Sequence, residues 1–199
     1  DWAAAHFQLA DTMEAAGRAQ DACRHFTDYL RLANTDEMGA EIRLALLGAA
    51  PVPETMPEAY VRALFDQYAE RFEESLLTKL EYSAPEKLFD AVSALLRDGE
   101  TLPRVLDLGC GTGLAGERFR PLAGWLSGID LSPAMIHEAG RKSLYDDLQE
   151  TDVASALAHQ TDAVDLIVAA DVFVYMGALD GVFDAAARAL VPGGLFAFS

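Results

Sequence analysis

Cysteine and basic side chains are the scarce residues of this 199-residue chain. The two cysteines, Cys23 and Cys110, stand far apart, so there is neither a disulfide framework nor a cysteine spacing that would hold a metal. No metal site is expected. Lys and Arg number 15 against 32 Asp and Glu, a formal charge of −17 that repels phosphate backbones and anionic lipid surfaces. Nucleic acid and membrane surfaces are therefore disfavoured as partners. No apolar run reaches bilayer-spanning length and no signal peptide is visible, which makes the compartment expected here cytoplasmic. No charge run or low-complexity stretch suggests a disordered tail. The chain opens on Asp1-Trp2 instead of Met, so we expect its natural N-terminus to lie upstream.

What is present describes a folded chain: 51% apolar and 24% charged residues, with enough length for a sizeable core and a small accessory unit. Over 2–33 the spacing predicts two helices joined at Gly17, with Phe7, Leu9, Ala10 and Met13 before the turn and Ala22, Phe26, Tyr29, Leu30 and Leu32 after it. A third helix is expected at about 36–49. Pro51, Pro53 and Pro57 then make a stiff, non-helical connection, the best candidate boundary between a helical segment 1–50 and a main domain 58–199. Residues 58–80 read as an amphipathic helix or a broken helix pair, with Val61, Leu64, Phe65, Tyr68, Phe72, Leu76 and Leu80 on one face. A helix at about 85–97 turns Leu88, Phe89, Val92, Leu95 and Leu96 inward.

From Arg104 onward strands and helices alternate. Strands are expected at 104–108, 125–129, 147–151 and 164–169 and in LFAFS at the end. Helices are expected at about 113–119, from Ser132-Pro133 to Lys142, after Asp152, and at 178–190 up to Pro192-Gly193-Gly194. Apolar strands separated by helices argue for an α/β fold, a parallel sheet covered on both faces, with a ligand at the strands' C-terminal ends. As written, LFAFS would be an exposed apolar edge, so we expect further chain or a partner to cover it.

The chemistry gathers at DLGCGTG, 107–113. Glycines at 109, 111 and 113 let a backbone approach a ligand closely, and the following helix offers free N–H groups. Two cofactors fit such a turn, a dinucleotide and S-adenosylmethionine. A dinucleotide spelling exists at Gly111-Thr112-Gly113-Leu114-Ala115-Gly116, but its register is wrong, because the first glycine after the strand is Gly109. Asp107 would also repel a pyrophosphate. It suits a ligand carrying an ammonium and a sulfonium. Cys110, inside the turn, reads as a small packing residue and not as a nucleophile.

This stretch resembles the first motif of class I S-adenosylmethionine-dependent methyltransferases, and the likeness extends over about 60–199. It implies a Rossmann-like, doubly wound, mostly parallel sheet and a cofactor site made of Asp107, Gly109, Cys110, Gly111, Thr112 and Gly113. Asp130, at the end of the second strand, would hold both ribose hydroxyls, and Leu131 and Met135 would flank the adenine. Asp152, with Val153, would meet the adenine amino group, and Ala170 and Asp171 would face the methionine part. The segment 65–82 resembles a helix that in many small-molecule methyltransferases caps the cofactor. Residues 2–33 resemble one tetratricopeptide repeat, though Asn34 replaces the closing proline and His6 stands where an aromatic is usual. Together these features resemble bacterial predicted methyltransferases with tetratricopeptide repeats. The main domain would then be C-terminally incomplete.

The implied activity is in-line methyl transfer to a small-molecule or carrier-bound acceptor, with Asp171, Tyr175 and Tyr68 as candidate bases near the methyl. The helical segment would bind a protein partner. His137 and His159 read as surface residues. No Asn/Asp-Pro-Pro-aromatic tetrapeptide follows the fourth strand and no Pro-Cys is present, which disfavours methylation of nucleic-acid bases. Two other readings stay open: a cofactor-fold scaffold without catalysis, and an NAD(P)-dependent oxidoreductase.

Overall fold

Val105, Leu106 and Leu108 are apolar on both faces of their strand, as a strand covered from both sides must be. In the computed structural model, which describes residues 2–74, 82–97, 99–158 and 160–199, they lie in the central strand of a five-stranded sheet. Strands β1 (Leu102–Leu108), β2 (Ala123–Asp130), β3 (Asp147–Glu150), β4 (Val164–Ala169) and β5 (Leu190–Phe198) are ordered β3-β2-β1-β4-β5. Every neighbouring pair is parallel. The order switches direction between β1 and β4, so the crevice for a ligand opens at the C-terminal ends of those two strands. The doubly wound α/β expectation holds.

The helices in chain order are α1 (Trp2–Ala15), α2 (Ala19–Leu32), α3 (Ala40–Leu46), α4 (Glu58–Tyr68), α5 (Ala84–Ser93), α6 (Leu114–Phe119), α7 (Pro133–Arg141), α8 (Val153–Ala158) and α9 (Asp180–Ala189). One face of the sheet packs Val105, Leu126, Leu166 and Val168 against Val92 of α5 and Ala115 and Phe119 of α6. The other packs Leu106, Leu108, Ile129 and Ile167 against Leu157 of α8 and Val182, Ala185 and Ala186 of α9. From Leu166 to Ala169, successive residues of β4 alternate between these two cores, the period of two that a strand imposes.

The chain divides into two compact units, Asp1–Leu64 and Phe65–Ser199. In the first, Gly17 adopts a left-handed conformation (φ 74°) between α1 and α2, and Phe7 stacks edge-on against Phe26 and Tyr29 at 5.2 and 5.4 Å. Leu9 and Leu32, expected inward, are exposed. Helix α3 starts later than expected. Asp36 accepts hydrogen bonds from the amides of Ala40 (2.8 Å) and Glu41 (2.9 Å), so it closes the preceding turn as a cap and stays outside the helix.

Three other expectations are corrected. Helix α4 gives way at Ala69–Arg71 to a tighter 3₁₀ turn, which rotates the following residues; Tyr68 is 51% exposed while Val61 is buried, so the single shared face does not form. Leu76 and Leu80, assigned to that face, lie outside the described residues. Helix α5 ends at Ser93, which leaves Leu95 71% exposed. Strand β5 begins at Leu190, ahead of Pro192-Gly193-Gly194. Leu190 pairs with Val164, the register shifts across the Pro-Gly-Gly stretch with Gly193 left-handed (φ 84°), and pairing resumes at Leu195.

Candidate active site

The turn after β1 takes all three motif glycines into the left-handed region: φ is 62° at Gly109, 52° at Gly111 and 92° at Gly113. Any side chain would be strained there. At Gly109 a Cβ would also stand 2.6 Å from a Val172 methyl, a steric reason for glycine independent of its φ. The Cys110 amide donates to the Ile129 carbonyl (2.8 Å), which ties the turn to the end of β2, and Gly113 N–H closes back on the Cys110 carbonyl (2.8 Å). Cys110 is buried, and burial pushes its thiol well above the usual value, with the charges of Asp107 and Asp130 adding to the shift. It fits packing, not nucleophilic attack.

Asp107 is the electrostatic centre. It is 2% exposed; Oδ2 accepts a hydrogen bond from the Tyr145 hydroxyl (2.7 Å), while Oδ1 is buried with no partner among the described residues. Burial pushes its carboxyl up to about 7, the Tyr145 hydrogen bond opposes the rise, and the Asp130 charge adds to it. Tyr145 is pushed upward in turn, by its own burial first and by Asp107 next. Sequence reading missed Tyr145. Its ring occupies space left open by Gly116 and Gly128, where a Cβ would come within 3 Å of the ring or its hydroxyl. No periodic signal marks that fit.

Asp130, at the end of β2, is oriented by the turn. Its Oδ2 accepts from the Gly111 amide and its Oδ1 from the Ser132 amide, both at 2.9 Å. Burial raises its pKa and these amide hydrogen bonds oppose the rise. Each oxygen retains a second acceptor position. Ser132 caps α7, its hydroxyl accepting from the Met135 amide (3.1 Å). That hydroxyl donates to Asp66 Oδ1 (2.5 Å), which also accepts from the Ala134 amide (3.2 Å). Asp66, in the FDQYA stretch, therefore docks its segment on the α7 N-terminus. The resemblance of 65–82 pointed to this segment, and only the fold supplies the partner of Asp66. Beyond the 3₁₀ turn, Lys142 Nζ lies 2.5 Å from both Glu73 and Glu117, joining the residue after Phe72 to α6.

The remaining expected residues fall as follows. Leu131 is partly buried beside Asp130, whereas Met135 is fully buried in the core. Asp152 Oδ1 accepts from the Ser155 amide (2.9 Å), so it starts α8 as a cap, and Val153 opens that helix. Thr112 is buried in the turn and Ala170 follows β4. Asp171 takes a left-handed φ of 56°, a strained conformation for a non-glycine. The Ser199 hydroxyl holds it, accepting from the Asp171 amide (2.9 Å) and donating to Asp171 Oδ1 (2.7 Å). Tyr82, not singled out from sequence, also hydrogen-bonds to Asp171; burial, then that carboxylate, push its phenol upward. Tyr175 packs edge-on against Phe65 (5.3 Å), and Phe65 against Phe72 (6.0 Å). The Phe72 ring lies 3.6 Å from where a Gly111 Cβ would stand. Phe65 thus packs on Tyr175, while Tyr68 is half-exposed. A cavity of about 350 Å³ lined by Ala69, Glu73, Thr112, Glu138, Arg141 and Lys142 shares only Thr112 with the expected set. His137 is exposed on α7, and His159 lies outside the described residues.

Residues 106–196 match the family model described as a methyltransferase domain. This segment is similar to methyltransferase domains. Over 95 residues the chain is 32% identical to a ubiquinone biosynthesis O-methyltransferase of Xanthomonas oryzae pv. oryzae, covering 46% of this chain and 40% of that protein. Over 88 residues it is 33% identical to a malonyl-[acyl-carrier protein] O-methyltransferase of Erwinia pyrifoliae, covering 44% and 31% respectively. The chain therefore spans less than half the length of these relatives. Among solved structures, a DhpI–SAH complex shares the fold with a TM-score of 0.55 at 24% identity, covering 68% of this chain and 65% of that one.

Methyltransferases of this class use S-adenosylmethionine, and the domain's residues fit it. The unpartnered, buried Asp107 Oδ1 is an acceptor waiting for a cation. The glycine turn leaves backbone and no side chain to approach, and Asp130 presents two pre-oriented oxygens to adjacent hydroxyls.

Proposed function

We propose that the chain transfers a methyl group from S-adenosylmethionine to a small-molecule or carrier-bound acceptor. The observation that carries this reading is the buried Asp107 with one oxygen unpartnered, next to a glycine turn that also fixes Asp130. A carboxylate in that place favours an ammonium or sulfonium and opposes a pyrophosphate, which sets the nicotinamide reading aside. The two relatives, O-methyltransferases of ubiquinone biosynthesis and of malonyl-[acyl-carrier protein], support a small-molecule or a carrier-bound acceptor.

In this reading Asp107 receives the amino-acid ammonium, Asp130 the ribose hydroxyls, Leu131 the adenine ring, and Asp152 with Val153 the adenine amino group, while the core residue Met135 supports the start of α7. Bound S-adenosylmethionine supplies an already activated methyl. The chain's task is to orient the acceptor and exclude water. The Phe65, Phe72 and Tyr175 rings, packed over the glycine turn, supply an apolar cover. Ala170 and Asp171 flank the methionine part, and Asp171 accepts the acceptor's proton, with Tyr175 and then Tyr68 as the alternative groups; the hydrogen bond from Tyr82 and the Ser199 contact position Asp171. The helical unit serves as a tetratricopeptide-like site for a protein partner, supported by exposed Trp2, Leu32 and Leu46. Among the described residues no helix is long and apolar enough to cross a membrane, which supports a cytoplasmic setting.

Calorimetry tests the reading. S-adenosylhomocysteine is expected to bind and NADH not to; the reverse overturns it. Asp130→Ala is expected to weaken S-adenosylhomocysteine by roughly 10- to 100-fold through lost charge-assisted hydrogen bonds, with an unchanged circular dichroism spectrum. Binding without methyl transfer to any fraction of a metabolite or protein extract would favour the scaffold.

A further inference from the structure

Three side chains of the helical unit play no part in the cofactor site. His6 stands on α1, His25 and Asp28 on α2. The two imidazole Nδ1 atoms face each other at 3.0 Å, and His6 Nδ1 lies 3.8 Å from Asp28 Oδ2. One ligating atom from each residue falls within 4.8 Å of the others. His25 and Asp28 are three apart and so share a helix face. Arg31 donates to Asp28 Oδ1 (2.8 Å), leaving Oδ2 for the histidines. The His6 and Asp28 side chains are 27% and 33% exposed, open enough for an ion to enter and keep a water.

Two ring nitrogens at this distance repel through their lone pairs unless a proton or a cation lies between them. A shared proton serves the two rings only. A cation serves both rings and the carboxylate. Around tetrahedral zinc, bonds of about 2.0–2.1 Å place neighbouring nitrogens roughly 3.3 Å apart, close to the spacing found here. Two imidazoles and one carboxylate suit a first-row transition ion, whereas magnesium and calcium prefer oxygen alone. Neither helix alone supplies the set, and Phe7, Phe26 and Tyr29 hold the two helices in the required register.

We propose that His6, His25 and Asp28 form a site for a divalent transition cation of the zinc class, which clamps α1 to α2. The chain, freed of any affinity tag and stripped with EDTA, is titrated with zinc by calorimetry and with cobalt(II) by absorption. One equivalent of zinc is expected to bind and to raise the thermal midpoint. His6→Ala and His25→Ala should each weaken binding by roughly 100-fold and Asp28→Asn by roughly tenfold. His137→Ala should change nothing. On the unmodified chain, paramagnetic cobalt(II) should perturb the His6 and His25 ring protons first. Absence of saturable zinc binding, binding that survives loss of both His6 and His25, first perturbation of His137 or His159, or a preference for magnesium or calcium over zinc would each overturn the proposal.

Discussion

Asp107 is held where folding alone gains nothing from it. Its carboxyl sits near 7 because it is buried, while an unfolded aspartate ionises near 4. Between those values the folded chain keeps a proton that the unfolded chain gives up. This group's contribution is therefore fully present below about pH 4, falls as the pH rises toward 7 and stays lost above it. Asp107→Asn keeps an acceptor for Tyr145 and abolishes the titration. We expect it to raise the unfolding midpoint at pH 8 by several degrees, about 1 kcal/mol being worth 2–4 °C at this chain length, and to leave the midpoint at pH 4 nearly unchanged. The same substitution should weaken S-adenosylhomocysteine at least about tenfold, since it removes a charge-assisted partner of the ammonium. Differential scanning fluorimetry and calorimetry read the two effects separately.

At the scale of elements, the glycine turn and the start of α7 are built by opposite means. The turn depends on missing side chains. Gly109→Ala would place a methyl 2.6 Å from Val172 at a φ of 62°, so we expect cofactor binding to be lost and the thermal midpoint to fall. The start of α7 depends on a side chain that is present. Ser132→Ala removes the cap to Met135 and the link to Asp66, at an expected cost of about 0.5–2 kcal/mol. Urea unfolding checks that value. Cofactor affinity should fall with it, because the segment that brings Phe72 to the glycine turn is moored to the Ser132 hydroxyl through Asp66.

At the scale of the molecule, the switch in strand order between β1 and β4 brings Asp107, Asp130 and Asp171 to one end of a parallel sheet. Crowding carboxylates there, in a chain of net charge −17, makes cation binding pH-linked. Burial pushes the Asp107 carboxyl up to about 7, and a bound ammonium favours its charged form, so binding near neutral pH should release protons. Affinity for S-adenosylhomocysteine should therefore decline as the pH falls below about 7. Calorimetry at pH 7 in buffers of different ionisation enthalpy should detect proton release in the native chain, and markedly less in Asp107→Asn.

Much of this was written locally. Glycine spacing sets which φ values the turn can take, alternating apolar residues set which strands are covered on both faces, and an acid at a strand end stays at that end whatever surrounds it. The sequence by itself therefore determined the parallel α/β sheet, the turn, and the positions of Asp107 and Asp130. Only the tertiary structure decided what those acids meet. The Tyr145 hydroxyl reaches Asp107 across 38 residues and Asp66 reaches Ser132 across 66. The same holds for Tyr82 on Asp171, for Phe65 against Tyr175, and for His6 facing His25. Each is a contact between elements, fixed by how helices settle on the sheet or on one another, and no periodicity within one element carries that information.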